Sequence, residues 1–475
     1  QLYRSTDFEV HRNWLAITYQ LPISEWYFES TSPWTLDYPP AFAYFEWVLS
    51  QVAAMVDPAM LQVQNLDYAS TATVLFQRCS VIVGDVVLLL GAYSLGGAQS
   101  SALVLWNSTL LLVDHVHFQY NGMLLGILLL SIACLETGRT YLGALLFCLL
   151  LCMKHIFLYV SPVFFVYLLR FHCHLKFRPF KLDLGALLRL AFVVLGTFIA
   201  CLLPIFWTGK PLETLLQLLR RLFPFGRGLT HAYWAPNAWA FYNTLDRVLA
   251  KVVGVSGGGS TAGFAEVYES AVLWTVPPKA TFVLTLLAYC PLLWKIWQAK
   301  DRHGLAIYVT LGSAIAFTFG WHVHEKAILM VTIPFLAALP ALPHDWDSIP
   351  LRHCAVGLST VACFSVMPLL PLTPLETALK WILFAVGLIV EEVLLGSKAV
   401  SLKMLGVGFL PWQLVVLCYC LLGLYRDAGG HQLLFRQRME FLPLLLTSDF
   451  SAMLVLQFFW SIFRLLPSGK SVKKQ

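Results

Sequence analysis

Carboxylates and large aromatic residues crowd residues 1–69 of a chain that is otherwise largely apolar. Asp7, Glu9 and Asp37 lie near Trp14 and Tyr38 in the sequence. A carboxylate that is partly shielded from water can act as a general base, and aromatic faces suit sugar rings. For any single acid, a solvated loop charge is the default interpretation. Because no run here has the ~20 apolar residues of a bilayer crossing, we predict a water-facing lid over a membrane-embedded site.

A second polar cluster separates two apolar segments at residues 114–121. Ionisable and amide side chains at membrane depth are costly, so they usually line a cavity or a pathway. Two interpretations stay open: a hydrated turn with interfacial aromatics, or a binding edge at the outer headgroup level. The candidate substrate-lining residues here are Asp114, His115, His117, Gln119, Tyr120 and Asn121.

A third polar turn contains His322, His324, Glu325 and Lys326, before an apolar helix predicted to begin near Ala327. A helix N-terminus offers free N–H groups and partial positive charge, and neighbouring His and Lys side chains add donors, which together suit a phosphate. The His-x-His spacing also occurs at metal sites, but no third ligand is evident. A purely structural turn is the remaining alternative.

The composition indicates a polytopic membrane protein. The 475 residues are 58% hydrophobic and only 12% charged, with a mean hydropathy of +0.71, whereas soluble domains have about 25% charged residues. The net charge of +6 is not gathered into basic stripes, so nucleic acid is not expected as a partner. The 11 cysteines form no Cys-x-x-Cys pair, which favours neither a disulfide framework nor a zinc site.

About thirteen apolar segments are predicted between residues 70 and 466, several of them shorter than a straight crossing. Basic short loops at 172–181, 295–303 and 398–403 mark one face as cytosolic, although the basic loop 426–440 falls on the opposite face. The scheme predicts a first lumenal loop (1–69) with the catalytic Asp, an N-terminal transmembrane bundle (70–206), a long lumenal loop (207–270), and a C-terminal bundle with a cytosolic tail (271–475). Because residue 1 is not Met, we expect a further helix upstream, which makes fourteen crossings.

Several stretches together resemble one family, the endoplasmic reticulum glucosyltransferases that use dolichyl phosphate glucose to extend the lipid-linked oligosaccharide for N-glycosylation. The resemblance covers essentially the whole chain. Of the family's two sister activities, TDFEVHRNW (6–14) and HAYWAPN (231–237) look like the member that adds the second glucose. The stretches that carry the resemblance are TDFEVHRNW, LDYPP (36–40), DHVHFQYN (114–121), RLFPF (221–225) and HEKAIL (324–329).

The resemblance implies an all-α, C-type glycosyltransferase fold in the endoplasmic reticulum membrane, with about 13 to 14 transmembrane helices and lumenal loops forming the site. It implies inversion at the anomeric carbon, with Asp7 as the base and Asp37 as the runner-up. His324, Lys326 and Arg227 are expected to bind the donor phosphate. The expected partners are dolichyl phosphate glucose, the lipid-linked oligosaccharide and membrane lipid. No cofactor and no metal are expected.

Two alternatives remain. The sister activity adds the first glucose to the unglucosylated precursor and shares the donor and the reaction. A transporter could also use many helices with buried charges, but the large one-sided polar loops and the absence of paired Gly/Pro interruptions in the two halves disfavour it.

Overall fold

The computed structural model describes residues 4–174, 183–207, 210–223, 228–231, 234–255, 270–300, 302–342, 348–370, 373–396, 412–436 and 438–466. Within these ranges the chain is helical without a named strand, which confirms the all-α prediction. The described residues also form two isolated β-bridges, Thr230 with Val323 and Trp234 with His324. Arg227 lies outside the described residues.

In the described residues of the first half, two α-helices lie in the predicted lumenal loop, and long and short helices follow them. A π-helix at Leu111–Phe118 and another at Leu169–Cys173 interrupt the α-helical series. The α-helices are α1 (Thr6–Gln20), α2 (Pro40–Val56), α3 (Thr71–Leu105), α4 (Ser108–Leu110), α5 (Asn121–Glu136), α6 (Thr140–Met153), α7 (Ser161–Leu168), α8 (Leu184–Phe206) and α9 (Pro211–Leu222), with 3₁₀ turns at Pro58–Leu61 and His155–Val160.

The described residues of the second half form nine further α-helices, with 3₁₀ turns at Glu325–Ile328, Leu339–Ala341 and Met367–Leu369. They are α10 (Ala238–Val253), α11 (Pro278–Gln298), α12 (Leu305–Phe319), α13 (Leu329–Ala338), α14 (Ser348–Val366), α15 (Pro374–Leu395), α16 (Trp412–Asp427), α17 (Gly430–Phe435) and α18 (Leu442–Leu465).

Five helical stretches in the described residues are long and apolar enough to cross a membrane, namely Thr71–Leu105, His155–Cys173, Leu184–Phe206, Pro278–Gln298 and Leu442–Leu465. The protein is therefore a membrane protein, while the count of 13 to 14 crossings stays a prediction. From the sequence, one apolar segment was expected to end at residue 96 and the next to begin at residue 102. The structure agrees, because α3 is broken by a kink with non-helical dihedral angles at Gly96 and Gly97, where glycine tolerates the left-handed φ of +70° at Gly97.

The long lumenal loop predicted at residues 207–270 contains two helices in its described part, α9 and α10. Its place on the lumenal side stays a prediction. Both helices have apolar and charged residues at helical spacing, a pattern too weakly hydrophobic to count as a crossing but sufficient for a surface helix. The N-terminus of α10 is capped by Asn237, whose side chain accepts the Trp239 N–H at 3.0 Å.

Contacts divide the chain into two compact units. The first comprises Gln1–Ser101 and Val113–Pro224, and the second comprises Ala102–Leu112 and Phe225–Gln475. In the first unit α1 packs on α2 over a core of Leu15, Ala53, Met60 and Leu61, and α5 packs on α6. In the second unit α12 packs on α11 and α13, and α14 packs on α18. The predicted loop and bundle boundaries stay predictions.

Candidate active site

The carboxylate of Asp7 stands in the first turn of α1. Ser5 caps this helix by accepting the Phe8 N–H at 3.3 Å, and acidic residues in a first turn favour the helix dipole. The Ser5 hydroxyl also donates to the carbonyl of His117, which ties the start of α1 to the π-helix. The Asp7 side chain is 22% exposed, so it is partly shielded yet reachable from outside.

Two side chains from residues 114–121 converge on one oxygen of Asp7. Gln119 Nε2 donates to Asp7 Oδ2 at 2.6 Å, and His117 Nε2 lies 3.1 Å from the same oxygen. Hydrogen bonds to an ionised carboxylate are among the strong ones and fix its orientation. The structure therefore unites two stretches that the sequence separates by more than a hundred residues.

A chain of amide groups supports this contact. Asn121 Nδ2 donates to Gln119 Oε1 at 2.6 Å, which fixes the Gln119 amide with its NH₂ toward Asp7. Lys154 Nζ in turn donates to Asn121 Oδ1 at 3.0 Å and stands 5.0 Å from the centre of the Tyr38 ring. Lys154 thus places a positive charge on the same network. Lys154 was not among the predicted site residues, although its position at the end of an apolar helix was an available signal.

Asp114 is fully buried beneath this network. Its carboxylate accepts the Gly122 N–H at 2.5 Å and Asn121 Nδ2 at 2.9 Å, so it anchors the first turn of α5. Burial raises the pKa of Asp114 to about 7, against the opposing effect of these two hydrogen bonds. The backbone between Asp114 and α5 is strained, since Phe118 has a φ of +85°. Strained backbone of this kind concentrates at functional sites.

His115 points toward α3 instead of Asp7. Its Nε2 lies 2.9 Å from Asp85 Oδ2, and Arg78 donates to its carbonyl at 2.5 Å. Burial disfavours a charged imidazole, but the bond to Asp85 and the nearby carboxylates outweigh it and raise the pKa of His115. Arg78 and Asp85, which share a helix face in the sequence, therefore both bind the His115 segment.

The remaining predicted residues of the first unit have partners of their own. Glu9 is paired with Arg12 through two bonds of 2.6 and 2.7 Å, which supports a structural role. Tyr120 bonds Ser80 at 2.6 Å. The pKa of Tyr38 is raised mainly by burial and further by the negative charges of Asp37 and Asp7. Both carboxylates therefore lie near the Tyr38 ring. Around the ring of His11 stand the aromatic rings of Trp14, Tyr38, Phe42, Phe118 and Tyr120.

The third predicted turn lies in the second unit. Two β-bridges, Thr230 with Val323 and Trp234 with His324, link it to an earlier part of the chain. The helical turn begins at Glu325, two residues earlier than predicted, and continues into α13. His324 precedes that turn, and Lys326 lies within it, half-buried.

These bridges bring His231 onto His324, with ring centroids 3.7 Å apart and planes at 32°. Glu325 is buried next to both, its Oε2 lying 3.5 Å from His231 Nδ1. His322 has a φ of +50°, and its ring nitrogen Nδ1 is 2.8 Å from the Gly228 carbonyl. The sequence analysis did not assign a role to His231, because nothing local links it to a turn so far along the chain.

Each unit thus holds one set of reactive groups. The first presents a carboxylate oriented by amide and imidazole groups, which is the equipment of a general base. The second gathers imidazoles and an ammonium group, which is the equipment for binding an anionic group.

The sequence comparisons agree with this chemistry. The ALG6, ALG8 glycosyltransferase family matches residues 1–462. A Drosophila melanogaster protein named "Probable dolichyl pyrophosphate Glc1Man9GlcNAc2 alpha-1,3-glucosyltransferase" is 45% identical to this chain. The alignment covers 97% of this chain and 90% of the Drosophila protein. Proteins with the same name, without "Probable", from Arabidopsis thaliana and Mus musculus are 46% and 39% identical. Those alignments cover 77% and 99% of this chain, and 73% and 93% of the relatives.

The match extends over nearly all of both units and includes all three polar segments. The chain belongs to the ALG6, ALG8 glycosyltransferase family.

Proposed function

We propose that this protein transfers glucose from dolichyl phosphate glucose to the terminal glucose of a monoglucosylated, dolichyl-pyrophosphate-linked oligosaccharide, forming an α-1,3 linkage. The observation that carries the proposal is the shared name of the relatives, which specifies Glc1Man9GlcNAc2 as the acceptor at 39–46% identity. The protein would act in the endoplasmic reticulum membrane, with a C-type glycosyltransferase fold of 13 to 14 crossings and a lumenal site.

The reaction is a single displacement at the anomeric carbon. The acceptor's 3-hydroxyl oxygen forms the new bond, its proton passes to the Asp7 carboxylate, and the bond between the anomeric carbon and the phosphate oxygen breaks. The bonding electrons leave with dolichyl phosphate. A β-linked donor then gives an α-linked product without a covalent enzyme intermediate. What supports Asp7 as the base is the pair of contacts from Gln119 and His117, which orient one carboxylate oxygen.

On the donor side, His324 and Lys326 would bind the phosphate, with Arg227 assisting. The transition state resembles an oxocarbenium ion, while negative charge grows on the departing phosphate. Cationic donors placed where that charge develops lower the barrier. A phosphate leaving group needs no protonating acid, and the reaction as proposed uses no organic cofactor. Asn121 and Tyr38, which are partly exposed, would line the acceptor.

The test is a transfer assay with two acceptors. Purified protein in detergent is incubated with dolichyl phosphate glucose and either the monoglucosylated or the unglucosylated lipid-linked oligosaccharide. The glycans are then released, and their masses are measured by mass spectrometry. We expect one hexose added to the monoglucosylated acceptor and little to the other. The reverse preference would assign the sister activity, and transfer to neither acceptor would favour a transporter.

A further inference from the structure

Glu391 is a buried carboxylic acid in α15 that the proposed reaction does not use. It is 2% exposed, and an ionisable residue on an apolar helix is costly to bury and usually serves a function. One of its oxygens, Oε1, accepts from Asn107 Nδ2 at 3.0 Å and from Ser359 Oγ at 2.7 Å. Asn107 Nδ2 also donates to Ser359 Oγ at 2.8 Å. These three buried side chains therefore form one hydrogen-bonded set, called the Asn107 cluster below.

The Asn107 cluster fixes the start of a helical segment. Asn107 Oδ1 accepts the Leu110 N–H at 3.0 Å and so caps α4. The next residue, Ser108, donates to the Leu383 carbonyl of α15 at 2.8 Å. A Cβ on Gly387 would overlap the Ser108 hydroxyl, so this glycine lets α15 approach α4 closely. The start of α4 is thus bonded to α15 at two consecutive residues.

The chain leads from α4 directly into the π-helix at Leu111–Phe118. The π-helix is a rare conformation that is found frequently at functional sites. Its far end is held by the Ser5 hydroxyl, which donates to the His117 carbonyl, and it stops at Phe118 with a φ of +85°. Its near end follows the Asn107 cluster. Bonds from other segments therefore fix the chain on both sides of the π-helix.

We propose that Glu391 is a positioning residue, which holds the start of the π-helix through Asn107 and so keeps the register that directs His117 and Gln119 to Asp7. A π-helix that relaxed to an α-helix would have fewer residues per turn, so the side chains after the change would rotate about the helix axis. A misplacement of about 1 Å caused far from the chemistry can slow a reaction about 100-fold. Only the link to Asp7 rests on the proposed function.

Transfer kinetics of two Glu391 variants in the full chain test this role. Methionine removes the acceptor oxygen and nearly preserves side-chain length, whereas glutamine keeps an oxygen that can accept from Asn107 and Ser359. For Glu391→Met we expect kcat per folded molecule to fall by at least about tenfold, while the KM for each substrate changes by less than about twofold. Glu391→Gln should stay within about threefold of wild type, because it retains the hydrogen bonds.

Two further variants serve as controls for folding and for site. Ser359→Ala removes one of the two bonds to Glu391 with little change in volume, and it should lower kcat by about threefold. Glu392→Met removes the neighbouring carboxylate of α15, which is partly exposed on a different helix face, and it should leave kcat unchanged. A loss of folded protein alone would reduce the yield of each variant without changing kcat per folded molecule.

Hydrogen exchange tests the same role without substrate. Glu391→Met should speed amide exchange of residues 108–118 by at least about tenfold and leave α18 unchanged. If Glu391→Met does not fold, Ser359→Ala should show the same local effect at a smaller size.

Wild-type kcat per folded molecule, or wild-type exchange of residues 108–118, in the folded variants that remove these bonds would overturn the proposal. An equal loss of kcat in Glu391→Gln and Glu391→Met would also overturn it, because the charge of Glu391 and not its hydrogen bonds would then matter. A wild-type protein that transfers glucose to neither acceptor would contradict the proposed function instead, and hydrogen exchange would still decide whether Glu391 holds the π-helix.

Discussion

Replacing Gln119 with leucine tests whether the amide network orients the proposed base. The change removes the shorter of the two contacts to Asp7 Oδ2, 2.6 Å against 3.1 Å for His117, and nearly preserves side-chain volume. A hydrogen bond to a charged group contributes about 1.5–3 kcal/mol. Since each 1.36 kcal/mol changes a rate tenfold, we expect kcat to fall by about 10- to 150-fold.

The kinetic pattern separates orientation from substrate binding. If Gln119 acts through Asp7, kcat and kcat/KM fall together and the KM for either substrate changes by less than about twofold. A raised acceptor KM with normal kcat would show that Gln119 binds the sugar instead. Gln51→Leu is the matched control, because Gln51 donates to the Trp47 carbonyl of its own helix on an exposed surface and should leave both constants unchanged. Wild-type kcat in Gln119→Leu would refute the reasoning.

Two further predictions concern stability. Gly126→Ala should destabilise the protein by about 3 kcal/mol, because a Cβ there would stand 2.5 Å from the backbone of Val87 and Leu88 in α3. Thermal unfolding in detergent measures this loss of stability. The control is Gly196→Ala, which should be neutral or slightly stabilising because a Cβ at Gly196 meets open space. A normal melting temperature for Gly126→Ala would contradict the close packing of α3 and α5. The pKa of Asp114, raised to about 7, means that the folded state holds a proton that the unfolded state has released, so this group's contribution to stability falls as the pH rises from about 4 to 7. Asp114→Asn should therefore reduce the drop in melting temperature between pH 5 and pH 8, and an unchanged drop would count against a buried, protonated Asp114.

The sequence was informative wherever polar residues interrupt apolar runs. Residues 114–121 and 322–326 both stood out because ionisable groups are costly at membrane depth. Both segments occupy ordered, partly buried positions with specific partners. The spacing of Glu9 and Arg12, three apart on a helix, could have predicted their internal pair, because such residues are neighbours on a helix surface.

Tertiary contacts explain what the sequence analysis missed. The π-helix at Leu111–Phe118 arises in a run whose composition would suit an ordinary α-helix, and the contact of Ser5 with His117 accompanies it. His231 reaches His324 through two isolated bridges, which leave no periodic pattern in either segment. Lys154 follows an apolar helix in the sequence, but only the fold shows that it donates to Asn121.

The central claim, that Asp7 accepts the acceptor's proton, is tested most directly by Asp7→Asn. Asparagine keeps the shape and an oxygen that can accept from Gln119, but it cannot take a proton at the working pH. The account predicts that transfer to the monoglucosylated acceptor falls by at least about 10³-fold, while binding of dolichyl phosphate glucose changes by less than about threefold and Asp37→Asn stays active. Full transfer by Asp7→Asn, or loss of transfer in Asp37→Asn alone, would contradict it.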